Sequence, residues 1–380
     1  MVILNNEPEH IIQNQNKIDD SSPQGKALQA MQRIQTTSTE NFAELLKIAN
    51  LDPARHLRNS DWSECDFRDV DLTGYDFSGA KVRNAKFDNA VISGAKFHNT
   101  DLTGSNIWKA KDWKEYLLKQ KPQHGDLSRK PFSLFRDLPF TPEMVVIPPS
   151  TFMMGSPDGE KGRYDHEDLQ HEVVISRYFA IGQFAITFDE WDHFVRETNY
   201  EHTADDEGWD RNNMPAIHVS WDDAQAYVHW LCNVTGALYR LPSELEWEYC
   251  CRAGTKSPFW CGNSISADQA NYDGRYAYNN GSVKKYREKT VPVDSFDPNP
   301  WGLYNVHGNV WEWCSNLYSN TYKNASVESK IDLHHSKDTR HALRGGAWNY
   351  RPQFLRSASR FRYPTYTRLN NVGFRIARTL

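Results

Sequence analysis

Arg240-Leu241-Pro242-Ser243-Glu244-Leu245-Glu246-Trp247-Glu248, Asn305-Val306-His307-Gly308-Asn309-Val310-Trp311-Glu312-Trp313, Arg344-Gly345-Gly346-Ala347-Trp348 and Gly373-Phe374-Arg375 are the strings that decide the fold. In the first, Ser243 and Glu246 have the spacing of a capping box and predict a helix that runs until Gly254. Working back toward the N-terminus, Ser220 with Asp223 predicts a second helix. Its apolar stripe is Ala224, Tyr227, Val228 and Leu231, and Gly236 ends it. Thr187 with Glu190 predicts a third, with Trp191, Phe194 and Val195 facing inward. Before these helices, Met144–Ile147, Phe152–Ser156, His171–Ile175 and Tyr178–Ile181 read as short strands separated by turn residues. A few short helices set among strands and long loops make an α+β domain over residues 140–380.

Together with Met153-Met154-Gly155, and in this order over about two thirds of the chain, the quoted strings resemble the formylglycine-generating-enzyme (sulfatase-modifying-factor) type of C-type-lectin-like domain. The resemblance implies that fold, and for the family's oxidases it implies two cysteines shortly after the Gly-Gly string that bind copper. Soft thiolates suit that metal. Residues 347–380 contain no Cys, and the last one, Cys314, precedes the string and reads as a buried small residue. The expectation is therefore a domain without catalysis, with a formylglycine-generating-type oxidase or related metalloenzyme as the alternative. His166 with His171, or His334 with His335, are read as solvated or structural rather than as a metal site. In family members the Asn-x-x-Gly-Asn-x-Trp-Glu string wraps a structural calcium, which implies Asn305, Gly308, Val310 and Glu312 as its ligands here.

Residues 344–375 also resemble the variable region of diversity-generating-retroelement proteins, which display diversified residues on a lectin-type surface. On that resemblance the ligand-binding residues are Tyr350, Arg351, Gln353, Phe354, Ser359, Phe361, Tyr363, Thr365, Tyr366 and Leu369. Tyr, Phe and Arg are the residue types of interface hot spots, which points independently to a binding surface for a protein ligand along residues 349–370. Tyr350, Phe354, Phe361, Tyr363 and Tyr366 are expected to form one solvent-facing patch that tolerates replacement. The chain's net charge is −5; residues 339–380 contribute +9 through nine Arg and the remainder contributes −14. Nucleic-acid binding through this Arg-rich, aromatic segment is a third reading, disfavoured by the repulsion of that remainder.

The N-terminal third carries a different signal. Residues 1–36 are polar and Gln/Asn-rich and read as a mobile arm; residues 37–55 hold a short helix with Thr37 and Glu40 as capping box. From Trp62 an apolar residue recurs every fifth position through Phe67, Leu72, Phe77, Val82, Phe87, Ile92, Phe97, Leu102 and Ile107. A period of five is neither helix nor strand. It resembles the pentapeptide-repeat family, which implies a short right-handed square β-helix over residues 56–110, capped by the preceding helix and serving as a spacer or docking surface. Residues 111–139 read as a linker. No apolar run approaches the roughly 18–20 residues that span a bilayer. No basic n-region with an apolar stretch opens the chain, and the six cysteines form no CxxC pair. Free thiols and a cytoplasmic location are expected.

Overall fold

The computed structural model describes Phe42, Leu46, Lys47 and residues 51–97, 100–102, 105–113, 115–116, 130–167, 170–320 and 339–380. The chain divides into two units, residues 1–124 and 125–380. The predicted arm and the Thr37–Glu40 capping box lie outside the described residues.

In the first unit the five-residue period becomes a coil. Asp61, Asp66, Asp71, Asp76 and Lys81 bridge in parallel to Lys81, Lys86, Val91, Lys96 and Asp101, always twenty residues on, so four pentapeptides make one turn. Each bridge is flanked by amide bonds such as Trp62 N–H to Lys81 O (2.7 Å) and Phe77 N–H to Lys96 O (2.8 Å). Neighbouring coils thus satisfy one another's backbone. The central apolar residues point inward: Phe67, Leu72, Phe77, Val82, Phe87, Ile92 and Ile107 are fully buried. They stack along the axis, with Phe77 and Phe97 rings 5.2 Å apart and nearly parallel. Phe42 lies edge-on to Trp62 and Phe67 at 5.4 and 4.7 Å, so the helical residues Phe42 and Leu46 sit at the open N-terminal end of the column. At each corner of the first coil an Asp side chain accepts the N–H two residues on: Asp61 from Ser63, Asp66 from Arg68, Asp71 from Thr73 and Asp76 from Ser78.

The second unit contains, among the described residues, β1 (Leu134–Phe135), β2 (Met144–Ile147), β3 (Ser150–Met154), β4 (His171–Ile175), β5 (Phe179–Gly182), α1 (Phe188–Thr198), α2 (Trp221–Thr235), β6 (Tyr239–Arg240), α3 (Glu244–Arg252), β7 (Trp311–Leu317), β8 (Arg340–Arg344), β9 (Phe361–Pro364), β10 (Val372–Gly373) and β11 (Ala377–Thr379). All three helices open with the predicted capping box, the side chains of Thr187, Ser220 and Ser243 accepting from the amides of Glu190, Asp223 and Glu246. The third stops one residue earlier than Gly254 suggested, because Ala253 already takes the left-handed conformation.

The strands form a five-stranded sheet of order β1-β2-β5-β11-β6, a four-stranded sheet of order β10-β7-β8-β9, and the β3-β4 hairpin. The C-terminal strand β11 pairs antiparallel with both β5 and β6, so the end of the chain closes the middle of the first sheet. Leu134 and Phe135, read from sequence as linker, pair with Val145 and Met144 and belong to this sheet. Two residues are too few to show a period. One core packs β2, β5 and α3 through Val145, Ile147, Phe179, Ile181, Trp247 and Cys251.

Candidate ligand-binding face

The segment that carries the proposed surface is anchored by its arginines. Arg344 reaches Glu244 (3.1 Å) and Glu248 (3.0 Å) on α3 and donates to the Ser357 carbonyl; Arg360 grips both oxygens of Glu244 at 2.6 and 2.7 Å. Arg356 binds Glu160 and Glu167, and Arg375 binds both oxygens of Glu312 at 2.6 and 2.7 Å. Arg344, Arg356, Arg360 and Arg375 are all buried. Burial pushes the Glu244 and Glu248 carboxyls up, but the guanidiniums beside them more than offset this and hold both below their ordinary values. With Arg252 paired to Glu248 as well, the interior sets five guanidiniums against five carboxylates. Arg368 pairs with Asp223 and Arg378 with Asp137. Of the nine C-terminal arginines, Arg340, Arg351 and Arg362 have no carboxylate partner among the described residues. The +9 read from sequence is mostly spent inside the fold.

Between these anchors the backbone turns tightly. Gly346 (φ +77°) sits where a Cβ would meet Leu355 Cδ1 at 2.6 Å, so only glycine lets the 352–355 turn close over it. On this frame the aromatics interlock. Phe361 stacks on buried Trp311 (5.4 Å), Tyr350 stands edge-on to Trp311 (5.4 Å) and Phe354 (5.3 Å), and Phe361 packs against Tyr363 (5.1 Å). All four are half-buried. Tyr366 is 62% exposed and Arg351 lies over the Tyr276 ring at 4.1 Å. Beside Phe361 and Tyr363 opens a cavity of about 480 Å³, lined also by His166, Tyr318, Arg340, Arg360, Arg362 and Pro364.

Of the predicted binding residues, Tyr350, Arg351, Gln353, Phe354, Phe361, Tyr363, Tyr366 and Leu369 retain exposed surface. Ser359 and Thr365 do not. Ser359 is fully buried in the turn that Arg344 and Arg356 clamp, and Thr365 lies 6% exposed between the Thr339 and Trp221 backbones, so both are corrected to interior residues. The aromatic patch is likewise not free surface, because four of its five rings are seated on Trp311 or on each other. Sequence reasoning missed His166, Tyr318 and Arg340 at the cavity; they come from distant segments, and no motif joins them.

Residues 131–380 match the sulfatase-modifying factor enzyme 1-like domain family, and residues 56–87 and 76–108 match pentapeptide repeats, in eight copies. The chain belongs to the sulfatase-modifying factor family. Among curated relatives it is similar to the formylglycine-generating enzyme of Thermomonospora curvata, 30% identical over 239 residues that cover 50% of this chain and 76% of that protein. It is 34% identical to the mouse formylglycine-generating enzyme over 44% of this chain and 45% of that one. The mouse inactive C-alpha-formylglycine-generating enzyme 2 is 28% identical, over 62% and 85%. Among solved structures, PvdO from Pseudomonas aeruginosa matches with TM-score 0.58 and 31% identity over 66% of this chain and 99% of that one. Treponema denticola variable protein 1 shares the fold at TM-score 0.50 and 18% identity, covering 65% of this chain and 98% of that one.

These relatives overturn the expectation that the sulfatase-modifying-factor domain is without catalysis, since relatives at 30% identity and above are named as enzymes. The copper centre that the resemblance implies for such enzymes does not fit the residues present. No Cys follows Trp348, and burial pushes the thiols of Cys250, Cys251 and Cys314 above their ordinary range, Cys251 to about 12. Cys251 also lies 3.8 Å from His307 Nδ1 and 3.6 Å from Ser357, which looks like a nucleophile and its base. His307, however, has Nδ1 bonded to the Leu355 carbonyl and Nε2 to the Trp260 amide, and burial lowers its pKa to about 4. It is a neutral ring tying loops together.

The calcium loop fits only in part. Gly308 (φ +87°) approaches the Asn271 carbonyl closely enough to exclude a side chain, which gives the loop its tight turn. Asn305 Oδ1 is buried and accepts no hydrogen bond from the described residues. Glu312, the charged ligand of the expected set, is corrected: both its oxygens are held by Arg375, and Oε2 also accepts from Trp247 Nε1 at 2.7 Å. A carboxylate already neutralised by a guanidinium adds little to a divalent-cation site.

Proposed function

We propose that the domain binds a protein ligand through the face formed by Tyr350, Phe354, Phe361, Tyr363 and Tyr366, with Arg351 and Arg362 at its edge. The observation that carries this is the interlocked, half-exposed aromatic cluster seated on Trp311 beside an open cavity. Aromatics held in place lose little entropy on binding and keep large contact area. Three arginines of nine without a carboxylate partner among the described residues are too few to clamp a long polyanion, which favours a protein over a nucleic acid. A calcium ion held by Asn305 Oδ1 and main-chain oxygens, without Glu312, is the form of the metal proposal that the loop supports. Six free cysteines fit a reducing compartment, so we place the protein in the cytoplasm, with the pentapeptide column as spacer or docking surface. No helix among the described residues is long and apolar enough to cross a membrane.

Peptide display against the full chain, with a Tyr350→Ser/Tyr363→Ser/Tyr366→Ser variant of matched melting behaviour as counter-screen, tests the binding face. Peptides that bind the parent with micromolar Kd and lose at least tenfold on the variant are expected. Peptides that bind both equally, or none at all, overturn the assignment.

A further inference from the structure

We propose that the cavity beside β9 receives an oxyanion of the ligand, a carboxylate or a phosphate monoester attached to an apolar group. This rests on the reading that this face binds a ligand, and deepens it.

The charge balance points here. Of the three arginines without a carboxylate partner among the described residues, two, Arg340 and Arg362, line this one cavity. In the β8–β9 register Arg340 faces Pro364 and Ala342 faces Arg362, so the two arginines are diagonal neighbours on one face of the sheet. Such a diagonal spans roughly 7–8 Å, within which two long side chains converge on one group.

The walls match an anion with an apolar neighbour. Tyr318 is clasped between Arg360 (4.7 Å) and Arg362 (4.5 Å), which fixes the Arg362 guanidinium over the ring. Phe361, Tyr363 and Pro364 supply an apolar flank. Beside Tyr318, with the two rings 6.2 Å apart, His166 Nε2 is buried with no hydrogen-bond partner among the described residues, an orphan polar atom at the cavity wall. Guanidiniums recognise carboxylates and phosphates through paired N–H bonds, and a partly desolvated pair does so more strongly than one in open water. With two such cations and about 480 Å³ the site takes one anionic group and its neighbour, not a polyanion.

The test is calorimetric titration of the full chain at low salt with three probes: inorganic phosphate, N-acetyl-glutamyl-phenylalanine amide, and its neutral glutaminyl counterpart. We expect at least one anion to bind with a Kd of about 1 mM or tighter. The affinity should fall at least tenfold in Arg340→Gln/Arg362→Gln and at 0.5 M salt, while the glutaminyl peptide does not bind. Whichever anion binds identifies carboxylate or phosphate as the source. Arg362→Lys, which keeps the charge but not the fork, should fall between parent and double variant. A melting curve matching the parent's establishes that the variants are folded. Binding that is absent for both anions, equal in the double variant, or equal for the neutral peptide overturns the proposal. Display-selected peptides that need the tyrosines yet bind the double variant equally would overturn the anion site and leave the binding face standing.

Discussion

At the scale of single residues, the buried carboxylates matter through their partners. Glu312→Ala leaves the Arg375 guanidinium charged and unpaired in the core, and removing one member of a buried pair costs about 3–5 kcal/mol. Urea unfolding should show that loss whether or not a chelator is present. The calcium proposal predicts a separate behaviour: excess chelator lowers the parent's Tm, and Asn305→Ala abolishes the response. An unchanged parent Tm in chelator would remove the metal from the account. The aromatic face divides in the same way. Tyr366→Ser should stay within about 0.5 kcal/mol, whereas Phe361→Ser, stripping a half-buried ring from Trp311, should cost about 1.5–3 kcal/mol by denaturant melt. Residue types alone could not separate these two. The burial of Ser359 and Thr365 was equally hidden: Ser359 sits in a turn held by Arg344 and Arg356, which meet glutamates far away in the sequence, Glu248 at a separation of 96 and Glu160 at 196, and Thr365 is covered by the distant Trp221 backbone, whose amide donates to its carbonyl.

At the scale of elements, what was legible is what is local. Three capping boxes, each spanning four residues, were readable because donor and acceptor lie within one turn. The column was readable because every coil repeats the same constraint. Its corners carry a prediction. Asp61, Asp66, Asp71 and Asp76 are held below their ordinary value of 3.8, chiefly by hydrogen bonds from Ser63, Arg68, Thr73 and Ser78. A depressed folded pKa stabilises the fold above the unfolded value, and that contribution disappears as pH falls through 3.8 toward the folded values. The first unit should therefore loosen on acidification below about pH 4, as read by amide exchange of residues 61–82. Asp→Asn at the four corners keeps the oxygen that accepts the turn amide and should flatten this pH dependence. A pH profile identical to the parent's would show that the corners do not carry it. By contrast β1, two residues long, offers no period to read and is placed by its pairing with β2 and by Arg378 over the Phe135 ring.

At the scale of the whole molecule, six of the nine arginines of residues 339–380 are neutralised by carboxylates, and Arg340, Arg351 and Arg362 are left without one among the described residues. The buried network of five guanidiniums and five carboxylates also bears on how the sulfatase-modifying-factor domain responds to heat. Ions shed their hydration at lower cost as temperature rises, while the stabilisation from apolar burial levels off. The network therefore contributes more near the melting point than at room temperature. Replacing Arg356, Glu160 and Glu167 together by well-packed apolar residues should raise stability measured at 25 °C by about 1–4 kcal/mol. Near the melting point the gain should shrink, so the two stability curves converge on warming, and curves that keep a constant separation would mean the ions carry no such thermal advantage.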